Sequence, residues 1–365
     1  MSDTILLTGG TGFVGMSLIA RLLEADAGPD LLLPVRARDG AGAAARVDEL
    51  LARLYDESPA SAARLRAVSA ELTAPGLGLS AADRRDVVAS VDRIVHCAAS
   101  ISFGLPLDEA RAINVAGTQS VLSLARELPR LERLVHVSTA YVAGRHRGRF
   151  REGDLELGQT FRNTYEQTKA EAELLLAAAT DLPGVVVRPS IVVGESDSGW
   201  TSAFNVIYWP LQAFARGLLD EVAADPDGIV DLVPVDHVTD LIEHAALAPG
   251  VRGPLHAVAG ERALRVHELI GQTSALLGRA GPRLRPPAAA GPDDPAAVFA
   301  PYFDVQVAFD DRRARDVATA PAPADYLPAI LAYARATRWG KRPLSREAAR
   351  REPAGERQRM AATAT

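Results

Sequence analysis

A short apolar run, Thr4-Ile5-Leu6-Leu7, feeds directly into Thr8-Gly9-Gly10-Thr11-Gly12-Phe13-Val14-Gly15, and an amphipathic segment follows to about Glu24. A strand, a glycine-rich turn and a helix in that order leave the chain little freedom. The turn reverses direction within a few residues and opens a helix whose first N–H groups have no intrahelical acceptor. Gly9 permits the tight turn, Gly12 lets the backbone come close to a pyrophosphate, and Gly15 allows helix and strand to pack closely. Thr11, Phe13 and Val14 fill the rest of the turn, and the helix N-terminus offers its dipole and free N–H groups to an anion. The stretch predicts the opening βαβ unit of a dinucleotide-binding α/β sheet.

The second strand reads Leu31-Leu32-Leu33-Pro34-Val35-Arg36. An NAD site places an Asp or Glu near this strand's end, to hold the ribose 2′-hydroxyl. Here stand Arg36 and, close by, Arg38, and a guanidinium suits a 2′-phosphate. The expected cofactor is therefore NADPH. Residues 41–57 read as a helix from the spacing of Val47, Leu50, Leu51 and Leu54. Further strands are expected at 66–72, with Glu71 and Leu72 at the adenine edge, at 93–99, ending in Ala98 and Ala99, and at 133–139. A helix spans Asn114 to about Leu128, and a sixth strand runs from Gly184 to Gly194, bringing Pro189, Ser190 and Ile191 to the nicotinamide end. Strand alternating with helix at this interval implies a Rossmann-type, doubly wound parallel sheet with ligands at the carboxyl ends of the strands.

Thr164 to Glu171 carries the chemistry. Tyr165 and Lys169 are four apart and share one helical face. An ammonium one turn away is expected to lower the phenol from its usual value of about 10, making it a proton donor or acceptor near neutral pH. Two surface residues on a helix would show the same spacing, so the surrounding motifs decide.

Composition narrows the class. A formal charge of −6 gives no reason to expect nucleic acid or an anionic membrane as partner. No apolar run approaches the roughly 20 residues needed to span a bilayer. Cys97 is the only cysteine, which excludes an internal disulfide and predicts a reducing, cytoplasmic setting. The start lacks the features of a signal peptide, and the Ala- and Arg-rich composition resembles that of a GC-rich bacterial genome. No His/Cys/Asp/Glu group has metal-ligand spacing, so no metal is expected. His96 and His136, inside apolar strands, read as core or sheet-edge histidines.

Beyond Glu195 the character changes. Trp200, Phe204, Tyr208, Trp209 and Phe214 crowd into one segment, and 200, 204 and 208 would share one face of a helix. Two readings stand open: a core or dimer-interface stripe, or an apolar wall for a long acyl chain. A helix start is expected near Asp236 as N-cap, then a strand at 255–258, a helix at 266–277, a loop over 280–296 and a closing helix at 326–339. From Lys341 onward seven Lys/Arg stand against three Asp/Glu, which predicts a mobile tail, either solubilising or able to dock an acidic carrier protein. The expected organisation is a cofactor domain over 1–195 to which 230–258 returns, a discontinuous substrate-binding region over 196–229 and 259–340, and the tail over 341–365. Monomer and homodimer are both compatible with the sequence.

Four motifs occurring in order, Thr-Gly-Gly-Thr-Gly-Phe-Val-Gly (8–15), Val-Ser-Thr-Ala-Tyr-Val-Ala-Gly (137–144), Tyr-x-x-x-Lys (165–169) and Arg-Pro-Ser (188–190), resemble those of an extended short-chain dehydrogenase/reductase. Val-His-Cys-Ala-Ala-Ser-Ile-Ser-Phe (95–103), the run 188–200 and Asn-Val-Ala-Gly-Thr (114–118) are similar to the branch of fatty acyl-CoA reductases and thioester reductase domains. The resemblance implies Thr139, Tyr165 and Lys169 as the catalytic set, and Asn114 among the cofactor contacts. It places Ser100 and Ser138 beside the substrate, and the apolar-wall reading of the aromatic segment would add Trp200, Phe204 and Tyr208. It implies NADPH-dependent reduction of an acyl thioester, carried by CoA or an acyl-carrier protein, to the aldehyde, with a second cycle to the alcohol left open. Two departures stand out: Glu71-Leu72 replaces the usual Asp-Leu, and the sequence holds no adenylation or carrier domain. Other readings that use the same residues are a ketone/alcohol dehydrogenase on an apolar substrate, a sugar-nucleotide epimerase and a non-catalytic cofactor-binding regulator.

Overall fold

The computed structural model describes residues 3–286 and 300–351. Seven parallel strands, β1 (Thr4–Thr8), β2 (Asp30–Val35), β3 (Leu65–Ser69), β4 (Arg93–His96), β5 (Arg133–Val137), β6 (Gly184–Pro189) and β7 (Leu255–Ala257), form one sheet in the order β7-β6-β5-β4-β1-β2-β3. The order reverses beside β1, so a crevice opens at the carboxyl ends of β1 and β4.

Among the described residues the helices of six residues or more are, in chain order, α1 (Phe13–Glu24), α2 (Gly40–Leu54), α3 (Ala81–Ser90), α4 (Leu107–Ala125), α5 (Thr164–Ala178), α6 (Tyr208–Ala215), α7 (Val235–Leu247), α8 (Val266–Leu277), α9 (Pro323–Ala336) and α10 (Arg346–Arg351). The continuous apolar run of β1 follows from cover on both faces. Ile5 and Leu7 point to a core shared with α1, α2 and α7, whereas Leu6 points to one shared with α3, α4 and the end of α5. A third core lies outside the sheet, where α6, α8 and α9 meet short paired strands such as Ile191–Val193 with Leu232–Pro234 and Gly148–Phe150 with Val307–Phe309.

Several elements differ from expectation. The sixth strand does not run unbroken to Gly194: the Ser190 N–H donates to Ala257 O and the Ile191 N–H to Asp231 O, so the chain changes partners and leaves the main sheet. Glu71 and Leu72 lie in the turn beyond β3. Residues 200–207 are not helical; α6 begins only at Tyr208, so Trp200, Phe204 and Tyr208 do not share a helical face. Asp236 does not cap α7, whose N-cap is Pro234; its carboxylate instead accepts from Ser196 N–H and Oγ–H.

Part of the expected loop forms a strand, Arg283–Arg285, against Glu221–Ala223, while 287–299 lie outside the described residues. The tail expectation fails for 341–351. There α10 is anchored by the buried Arg346, which pairs with Glu195 and Glu24. The rest, 352–365, lies outside the described residues. No helix among the described residues is long and apolar enough to cross a membrane.

Candidate active site

The strand ends line a groove with two lobes that meet at Gly9, Thr11, Gly12, Cys97 and Ala99. One lobe, about 370 Å³, reaches Arg36, Arg46, Ala70, Glu71, Leu72 and Ala98. The other, about 510 Å³, reaches Thr139, Tyr165, Lys169, Pro189, Ser190 and Ile191 and extends to Phe103, Tyr141 and Tyr302.

The turn between the lobes fits a pyrophosphate on its own geometry. Gly9 has φ +72°, and a Cβ there would lie 2.6 Å from Ala98 N. A Cβ on Gly15 would meet Gly9 O at 2.3 Å, so this glycine serves helix–strand packing and does not line the groove. Gly12 is the N-cap of α1 without any side-chain cap, which leaves the first N–H groups of the helix open toward the groove, where Phe13 and Val14 also lie.

In the first lobe the Arg36 guanidinium lies 3.0 Å from the Glu71 carboxylate. Burial pushes that carboxyl up, but hydrogen bonds from Thr73 and the Arg36 charge outweigh it and hold the group below its ordinary value. Arg38 is exposed and does not line the groove. Arg46 does. The apolar spacing of α2 does not single it out, yet nearly two turns into that helix a cation at the flank of the Ala43–Val47–Leu50 stripe lines the lobe.

In the second lobe α5 is started by Asn163, whose side chain accepts from Glu166 N–H. Tyr165 reaches the groove one residue into the helix and packs against Phe103 with ring centroids 5.8 Å apart. The expected electrostatics are corrected here. Burial pushes the phenol up to about 12, a hydrogen bond with Thr139 offsets part of this, and the Glu166 charge adds to it. Lys169 does not lower the phenol. Its Nζ donates to Val137 O at 2.8 Å and stands 3.4 Å from His136 Nε2. Burial also pulls the lysine down to about 8. The amine is thus held against the sheet and away from bulk solvent.

Thr139 Oγ donates to Pro189 O and accepts from Tyr141 N–H, which fixes it at the end of β5. The hydroxyls of Ser138 and Tyr141 line the same lobe and have no hydrogen-bond partner among the described residues. Ser190 donates to the buried Asp231 at 2.5 Å.

Other expected contacts lie elsewhere. Asn114 is buried, bonded to both backbone groups of Ser100 and to Thr168 Oγ, so it braces the loop after β4 against α5 and does not line the groove. Ser100 is absent from the lining as well. Trp200 is 1% exposed and donates its indole N–H to Leu344 O, Tyr208 accepts from Gly194 N–H, and Phe204 stacks on Tyr333. Of the two readings of the aromatic segment, the core stripe holds. Apolar lining comes instead from Phe103, Tyr141 and Tyr302, together with Ala203 and Val206. Tyr302 lies past the Pro-rich segment in sequence, where no local pattern tied it to the site.

A parallel sheet of this order, with a glycine turn and a Thr–Tyr–Lys set at its strand ends, defines the extended short-chain dehydrogenase/reductase class. Within that class the chain belongs to the family described as Male sterility protein, whose model matches residues 7–242. It is 32% identical over 285 residues to human fatty acyl-CoA reductase 1, covering 68% of this chain and 55% of that protein. It is 31% identical over 266 residues to the Drosophila melanogaster fatty acyl-CoA reductase wat, covering 64% and 52%. The chain thus spans about half the length of the curated relatives it matches. Among solved structures, the terminal R domain from the myxalamid PKS-NRPS biosynthetic pathway superposes with a TM-score of 0.78 at 26% identity, covering 94% of this chain and 93% of that one. A thiolation-reductase di-domain from an archaeal non-ribosomal peptide synthetase shares the fold, with a TM-score of 0.71 at 16% identity over 94% and 92% of the two chains.

Proposed function

We propose that this chain is an NADPH-dependent reductase that converts an acyl thioester, carried by CoA or an acyl-carrier protein, to the aldehyde in a reducing, cytoplasmic compartment. The observation that carries the reading is the placing of Tyr165 and Thr139 in one groove, between the glycine turn and an aromatic wall. Gly12, Pro189 and Ile191 line this lobe and would hold a reduced nicotinamide, which would supply a hydride to the carbonyl carbon. Thr139 turns its one O–H from Pro189 O to the carbonyl oxygen as charge builds there. Tyr165, protonated at neutral pH, gives that oxygen its proton, so the product of the step is a neutral hemithioacetal. The C–S bond then breaks, the hydroxyl proton passes to sulfur, and aldehyde and thiol leave. A second round on the aldehyde would yield the alcohol. Lys169, held by Val137 O, keeps its remaining N–H groups for the sugar hydroxyls of the cofactor. Phe103, Tyr141 and Tyr302 exclude water and accept the acyl chain.

The test follows absorbance of the reduced nicotinamide together with free thiol, using acyl-CoAs, acyl-carrier thioesters and ketones. Equimolar NADPH loss and thiol release is expected with a thioester. NADPH loss with ketones alone would replace this reading by the ketone/alcohol dehydrogenase.

Cofactor choice rests on the first lobe, where Arg36 and Arg46 supply two cations against the single Glu71 carboxylate. Arg36→Ala is expected to raise the KM for NADPH about 10- to 100-fold, the worth of one or two charge-assisted hydrogen bonds. The KM for NADH should barely move. Equal effects on both would defeat the assignment.

A further inference from the structure

We infer that Arg188 is a positioning residue for the reaction proposed above, because its ion pair with Glu173 fixes the rotation of α5 and so the direction in which Tyr165 and Lys169 face the groove. The inference rests on that reading of the site.

Arg188, the first residue of the Arg-Pro-Ser motif, is 1% exposed and does not reach the groove. Its Nε donates to both carboxylate oxygens of Glu173 at 3.0 Å, and Nη2 donates to Oε2 at 2.7 Å. Nη1 donates to Glu152 O at 3.1 Å and lies 3.2 Å from His256 Nε2. The guanidinium is therefore fastened on its far side to β7 and to the segment after Phe150, and its planar fork has one direction left for the carboxylate.

Glu173 is 2% exposed and stands one turn beyond Lys169, which stands one turn beyond Tyr165. Three residues at spacing four lie along one side of a helix, so the orientation of the last is transmitted to the other two. Turning the helix by one residue, about 100°, would carry Glu173 off the fork and the phenol out of the groove. A buried ion pair adds little net stability over an apolar pair of the same size. Its bidentate geometry, by contrast, specifies direction.

Glu173 also acts on Lys169 by charge, favouring the ammonium against the burial that disfavours it. The titratable groups around that lysine are Cys97, His96 and His136 from the strands, and Tyr165 and Glu173 on its own helix.

Glu173→Gln keeps the size of the side chain and removes the charge and the two-pronged contact. The expected result is a kcat for thioester reduction about 10- to 100-fold lower, the usual cost of misplacing reacting groups by an ångström. The KM for NADPH should rise through the displaced Lys169 contact, but by less than kcat falls, because the glycine turn and the Arg36 lobe keep their own hold on the cofactor, and the basic limb of the kcat–pH profile, set by Lys169, should move to lower pH. Glu173→Asp restores the charge without the reach, so it should return the limb toward its wild-type position and leave kcat low.

Unchanged kcat and an unchanged limb in Glu173→Gln would overturn the inference. So would a loss of kcat matched by equal losses of NADPH binding and thermal stability. Should Glu173→Gln not fold, the double variant Glu173→Leu with Arg188→Leu removes both charges together, and wild-type turnover in it would overturn the inference. A wild-type protein that reduces ketones and not thioesters defeats the functional reading alone, and the same comparison then runs on the ketone.

Discussion

Tyr165→Phe is expected to bind NADPH with wild-type affinity and to turn over about 10³-fold more slowly, the usual worth of a positioned general acid that also stabilises an oxyanion. The substitution removes one oxygen and keeps the ring, so the packing against Phe103 survives. The size of the effect follows from the state of the phenol. Burial raises it to about 12, so at neutral pH it carries its proton, and the hydroxyl hydrogen-bonded beside it is that of Thr139. Thr139 can hydrogen-bond the oxygen but is far too weak an acid to protonate it. Single-turnover rates with a thioester, alongside a fluorescence titration with NADPH, separate the two parameters. A kcat within tenfold of wild type would remove Tyr165 from the proton-donating role.

The second large effect is expected at the glycine turn. Gly9→Ala should cost roughly 3 kcal/mol of stability and abolish measurable NADPH binding. About 1–2 kcal/mol comes from a left-handed backbone that an L side chain resists. The rest is contact: the new methyl would lie 2.6 Å from Ala98 N and 2.7 Å from Cys97 C, backbone atoms that no rotamer change can move. β1 and β4 would have to part just where the two lobes of the groove meet. Gly40→Ala is the matched control, since a Cβ there meets nothing within 4 Å and the residue opens α2. Urea unfolding of both variants measures the difference; equal midpoints would show that the turn is not under this constraint.

The parallel sheet and the cofactor groove were legible in the sequence because their signals are local. A glycine turn, an apolar strand or a Tyr-x-x-x-Lys pair is written within one element, and the doubly wound topology brings the strand ends together without further information. The parts that were not legible depend on contacts distant along the chain. Whether Trp200 faces substrate or core turns on Leu344, 144 residues away, which accepts its indole N–H. The ordering of α10 turns on Glu24 and Glu195. Tyr302 joins Tyr141 and Phe103 only through tertiary packing. The error at Lys169 has another source. Spacing four on a helix brings two side chains to one face, but not toward each other; Val137 O offered the amine a better partner than the phenol.

The seating of Arg346 bears on how the protein can be shortened or joined to other chains. Glu195 is 3% exposed and is neutralised from a helix 151 residues downstream, which also clasps Glu24 at the end of α1. Trimming back to Lys341, where the charged stretch starts, would therefore strand an anion in the interior, at a cost of several kcal/mol. A fusion partner or affinity handle is best attached beyond Arg351, where the clasp stays whole.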